Sequence, residues 1–153
     1  NSRYLTEEEQ DKLLEYCESM PARLGAMQAM EGVEEEIVDT MIDRMKEKYP
    51  DFDKHHKTAW GKAARDTSLV CRYIAQAMIA DDMELLDEKV LVWLGTILAS
   101  FDFTPGFNRD TYTLIRDGFE QRLEPDHFDM VKPYLDYTVR RMSEIPEPAQ
   151  PRV

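Results

Sequence analysis

The chain has 153 residues, 42% of them hydrophobic, and a formal net charge of −12 at pH 7. That length suits one domain with a real core and is short for two, while the acidic balance argues against nucleic acid, which needs a basic face. No apolar run approaches the roughly 20 residues of a membrane span, and Cys17 and Cys71 fall at no metal-like or disulfide-framework spacing, so a reducing cytoplasm is the expected compartment.

Thr6-Glu7-Glu8-Glu9 reads as a capping box that opens a first helix. Helix formers run to Met20, where Pro21 is expected to break or kink the run for want of an amide proton. A second helical stretch reaches about Met30, and Gly32 punctuates it. From Val33 to Lys48 the spacing of Val33, Ile37, Thr40/Met41 and Met45 predicts an amphipathic helix, ended by a turn at Tyr49-Pro50-Asp51-Phe52. The acidic runs Glu7–Glu9 and Glu34–Glu36 are expected in the first turns of helices, where the dipole favours negative charge.

Thr58 to Ala80 is the longest clean helical run, interrupted by Asp81-Asp82 and followed by a helix from about Leu85 to Phe101. Pro105 and Pro125 suit early positions of two further helices. In the last, Phe128, Val131, Leu135, Thr138, Met142 and Ile145 alternate by three and four as one buried stripe. Pro133 inside it predicts a kink or a late start. Residues 1–145 form the expected domain, and the Pro-rich 146–153 a disordered tail. Nothing alternates as a strand does, so the fold expected is all-α with about six main helices.

Several segments stand in order at telling spacing: Tyr4-Leu5-Thr6 at the start, Ala64-Arg65-Asp66 with Arg72-Tyr73 on the long helix, Leu86-Asp87-Glu88, Phe101-Asp102-Phe103-Thr104-Pro105, and Tyr134-Leu135-Asp136-Tyr137. Together, at nearly constant spacing, they resemble the phycobiliproteins, globin-like bilin-binding proteins of light harvesting. The resemblance implies a globin-like helical bundle and no enzymatic activity. That family carries a cysteine, which bonds a linear tetrapyrrole, at the position of Ala63. An alanine methyl forms no thioether, so any bilin here is expected to be held non-covalently. The family's N-terminal helical hairpin is not recognisable, the segment Asp51–His56 is short, and Trp93 stands where glycine is common. These departures count against ring assembly and light harvesting, and bring the chain nearer to the globins associated with bilin biosynthesis.

The resemblance gives Asp66 the task of accepting hydrogen bonds from pyrrole N–H groups. It gives Arg65 and Arg72 the task of pairing with propionates. Helical spacing puts Ala63, Asp66, Val70 and Tyr73 on one face, and an ionised carboxylate suits a pyrrole donor, as a guanidinium fork suits a carboxylate. Phe101, Phe103 and Phe107 are candidate aromatic walls. The plainer reading of the same residues is a salt-bridged Arg-Asp pair on a helix with phenylalanines in the core. Expected partners are a linear tetrapyrrole, bilin-biosynthesis enzymes, or a second copy in a homodimer.

Haem is the other tetrapyrrole to weigh. It needs an axial ligand on the facing helix, and His55, His56 and His127 all fall outside Leu85–Phe101. Cys71 lies eight residues beyond Ala63, about 12 Å along a helix, and reads as a small buried hydrophobe. No phosphate loop, serine elbow or metal-ligand cluster is present in the sequence. The alternative function is a ligand-free interaction module in which Trp93 fills the pocket.

Overall fold

The computed structural model describes residues 2–54, 57–100 and 105–144, with the side chains of 99, 100 and 105 left aside. Helix α1 starts where the capping box predicts. Thr6 Oγ1 accepts from the Glu9 amide at 3.2 Å and Glu9 Oε1 accepts from the Thr6 amide at 3.0 Å. The Arg3 guanidinium, with these capping bonds, holds the Glu9 carboxyl down at about 2.

From there α1 runs without interruption over Glu7–Lys48, 42 residues, through both Pro21 and Gly32. The expected break at Pro21 does not occur. The carbonyl that Pro21 leaves without an amide is that of Cys17, and both residues are exposed, so the orphan faces solvent. Bonds on either side of Pro21 also tie the helix to the backbone at Met78 and Ile79. Tyr16 Oη donates to the Ile79 carbonyl at 2.6 Å and Arg23 Nη1 to the Met78 carbonyl at 2.5 Å. Beyond them Ala26, Met30, Ile37, Val38, Met41, Ile42 and Met45 are buried, and tertiary packing carries the helix past its poor formers. Glu34–Glu36 therefore lies in the middle of a helix, contrary to expectation. Its members serve as clamps, with Glu34 3.7 Å from Arg72 and Glu36 3.6 Å from Arg122. Burial raises the Glu34 carboxyl, with Arg72 opposing it.

Helix α2 (Ala59–Ala80) ends at Asp81, whose φ of 51° is left-handed. The Asp82 amide closes the helix on the Ala77 carbonyl at 3.0 Å. The Asp81 carboxylate justifies the unusual residue there, because Tyr134 Oη donates to it at 3.3 Å and Arg23 lies 3.8 Å away. Asp82 then caps α3 (Met83–Leu86). A π turn, Asp87–Leu91, joins α3 to α4 (Val92–Ser100) as one rod. The Asp87 carboxylate in this turn accepts from Tyr137 Oη, and Arg141 Nε reaches it at 3.2 Å. Two motifs far apart in sequence, Leu86-Asp87-Glu88 and Tyr134-Leu135-Asp136-Tyr137, thus meet.

Helices α5 (Pro105–Arg122) and α6 (Pro125–Ser143) form an antiparallel pair. Arg116 Nε donates to Asp136 at 2.5 Å, and its guanidinium lies over the Phe128 ring. Phe128, Val131, Leu135, Thr138 and Met142 are buried as predicted, and Ile145 lies outside the described residues, as does the 146–153 tail. Pro133 neither kinks nor delays α6 enough to end it. Its i−4 residue, Asp129, is exposed like Pro133 itself, so the orphan carbonyl is again solvated.

The described residues make five helical rods and no strand, against about six expected, because α1 joins stretches that the sequence divides at Pro21 and Gly32. α2, α5 and α6 all pack against α1. At the α1–α5 crossing only glycine fits, since a Cβ built on Gly118 would sit 2.7 Å from Ile37 Cγ2, a side chain buried in the core. Asp110 of α5 fastens the end of α1. Lys48 Nζ lies 2.6 Å and Tyr49 Oη 2.7 Å from its carboxylate. Burial would raise Asp110, but these two donors outweigh it and lower it below the usual carboxylate range.

Two outcomes follow. Gly118→Ala should cost about 1–3 kcal/mol of stability by overpacking against Ile37, read by chemical denaturation; an unchanged midpoint would mean the helices do not approach this closely. Asp110→Asn should lose about 1–2 kcal/mol near neutrality. A lowered folded-state pKa gives stability above the unfolded value of about 3.9 that is lost as pH falls further. The melting difference between variant and parent should therefore shrink below about pH 4.

Candidate functional site

The same end of the bundle holds a cavity of about 920 Å³, within the range of small-molecule sites. It lies between the last turns of α1, the turn after it, the first turns of α2, α4, and the start of α5. Four aromatic rings build one wall. Phe52 stacks on Phe107 with centroids 4.6 Å apart and packs on Trp60 at 4.6 Å, while Tyr49 meets Phe107 edge-on at 4.9 Å. Met41, Met45, Leu94, Ile97 and Leu98 complete the apolar lining.

The floor is polar and uncharged, formed by Thr67, Asn108, Thr111 and Tyr112, all buried. Thr67 and Thr111 hydroxyls donate to the Ala63 and Phe107 carbonyls at 2.6 and 2.9 Å. Burial drives the Tyr112 phenol well above its ordinary value, with nearby Cys71 and Asp66 adding to this, so it stays protonated. The Asn108 amide nitrogen is buried with no hydrogen-bond partner. The rim is charged. Lys62 is exposed, and Arg65 and Asp66 lie 3.6 Å apart with side chains 74% and 37% exposed. Trp93, 54% exposed, sits on this rim and leaves the cavity open.

The predicted site residues divide. Asp66 and Arg65 line the cavity together with Ala63 and Phe107. Arg72 does not. Seven residues from Arg65, it shares that residue's face of α2, which turns toward α1. There it lines a smaller cleft of about 290 Å³ with Glu34, Glu35 and Asp39, 3.7 Å from Glu34. Arg65 borders both spaces. Tyr73 is half-buried against the core and is not among the residues lining the large cavity. Phe101 and Phe103 lie outside the described residues, as do His55 and His56. His127 lies in the first turn of α6 beside Gly25, away from the cavity.

Sequence reasoning missed the floor and most of the aromatic wall. Asn108, Thr111 and Tyr112 stand one turn apart on α5 with Phe107, and polar residues within a stripe otherwise buried are a usable signal. Tyr49, Phe52 and Trp60 flank a turn, where no periodicity marks them. Among the described residues no group of three or more His, Cys, Asp or Glu side chains is placed to hold a metal ion, and no helix is long and apolar enough to cross a membrane.

Comparison with known proteins agrees with the fold. Residues 1–142 match the family model described as phycobilisome protein. The chain is also 26% identical over 151 residues to the allophycocyanin subunit beta-18 of Synechocystis sp., an alignment covering 94% of this chain and 89% of that protein. With an all-α bundle and a match over nearly its whole length, the chain belongs to the phycobilisome protein family and has the globin-like phycobiliprotein fold.

Proposed function

We propose that this protein is a non-enzymatic carrier that holds a linear tetrapyrrole without a covalent bond and delivers it to, or receives it from, an enzyme of bilin metabolism. The observation that carries the reading is an open cavity of about 920 Å³ with Ala63 on its wall, where the resembling family has the attaching cysteine. Flat aromatic and aliphatic walls suit a conjugated ligand. Asp66 is available as an ionised acceptor for inner pyrrole N–H groups. Lys62 and Arg65 on the rim suit two propionates, in place of the Arg65–Arg72 pair expected from sequence.

A ligand-free interaction module is the competing reading. It called for a filled pocket with Trp93 turned inward. The half-exposed Trp93 and the open cavity support the carrier instead.

Absorbance titration with biliverdin and phycocyanobilin, with haemin as comparison, tests the carrier. A saturable, red-shifted and sharpened bilin band is the expected result, and no change with either bilin would sink it. Asp66→Ala should weaken bilin binding by roughly ten- to hundredfold, the loss of a charge-assisted hydrogen bond. Equal affinity would remove Asp66 from the site.

A further inference from the structure

Among the described residues the buried polar side chains other than tyrosines are Thr67, Asn108, Thr111 and Thr138. Three of them line the large cavity. The threonines there spend their protons on helix carbonyls, at 2.6 and 2.9 Å. Asn108 does not; its amide nitrogen is sealed from solvent and bonded to nothing. Such a donor costs the full desolvation of its N–H groups, and folded proteins keep few of them. A cost of this kind is offset when a ligand brings an acceptor.

The chemistry of that acceptor is narrow. Every polar group on the floor is neutral, while the charged groups, Lys62 and Arg65 beside Asp66, stand on the rim, so the charged part of a ligand belongs at the mouth and a neutral oxygen at the bottom. A linear tetrapyrrole carries both, with propionates at its middle and a lactam carbonyl on each terminal ring. We infer that Asn108 is the buried anchor for one terminal lactam carbonyl, so that the ligand enters end-first with its propionates left at the rim. The inference rests on the carrier reading above and adds to it an orientation and a specificity-determining residue.

The test uses two variants of the full chain. Asn108→Leu keeps the bulk and removes the donor; Asn108→Asp keeps the shape and replaces the donor with an acceptor. Both should bind biliverdin about tenfold more weakly in absorbance titration. Ligand-free Asn108→Leu should also melt about 2–4 °C higher than the parent, because an unsatisfied buried amide is gone. Parent binding that both variants match would overturn the anchor and leave the carrier standing. Weaker binding with a lower ligand-free melting temperature for the Leu variant would make Asn108 a structural residue and overturn the anchor as well. No saturable binding by the parent would overturn the carrier and the anchor together.

Discussion

The continuity of α1 through Pro21 is the constraint on which the other elements depend. α2, α5 and α6 all pack against this one helix, so their mutual positions are set by a single axis. A bend at Pro21 would swing the first four turns away from the end of α2, to which Tyr16 and Arg23 are bonded on either side of the proline. Neither Pro21 nor Pro133 ends its helix, because each proline removes its amide from the solvent side. Where the orphan carbonyl is hydrated, the packed face opposite decides whether the helix continues. The close crossing at Gly118 then brings α5 tight against the middle of α1. At the far end, Asp110 grips Lys48 and Tyr49.

Between those two attachments the helices stand apart, and the cavity is the space they leave. It remains open for reasons visible in its lining. Ala63 contributes little bulk, Trp93 stays at the rim, and a floor of Thr67, Asn108, Thr111 and Tyr112 gains little from collapse, because polar groups resist burial against hydrocarbon. Core packing and cavity are thus divided along the same helices. Val70, Ile74, Ala77 and Met78 on α2 belong to the core, and the turns before them belong to the cavity.

Much of the fold was legible in the sequence because helix caps and apolar spacing are local signals. The Thr6 capping box, the Asp81-Asp82 break and the buried stripe of α6 all stand where expected. The unbroken α1 was not, since whether a proline ends a helix depends on which face it occupies and on contacts from residues some 55 to 63 positions away. The site was half legible. Asp66 and Ala63 lie on one helix face, which spacing reveals. Arg72 was assigned to the same site by family resemblance, but its face of α2 turns toward Glu34, and no property of α2 alone says where α1 will lie. Three of the four floor residues, Asn108, Thr111 and Tyr112, come from α5, and only the fold brings them beside Thr67 of α2.

The π turn at Asp87–Leu91 has a wider effect than its five residues suggest. The Val92 amide reaches back to the Asp87 carbonyl, a turn that holds one residue more than an α-helical turn does. Each residue of a helix advances the chain by about 100°, so that surplus residue sets the phase of Leu94, Ile97 and Leu98 as they face the cavity and of Trp93 at its rim. Tyr137 and Arg141 keep the turn in place by holding Asp87. In the vocabulary of insertions and deletions, the chain carries at this point a one-residue length difference whose effect is expressed more than a turn downstream. The shape of the cavity is therefore set partly by how many residues lie between Asp87 and Val92, and only partly by which residues they are.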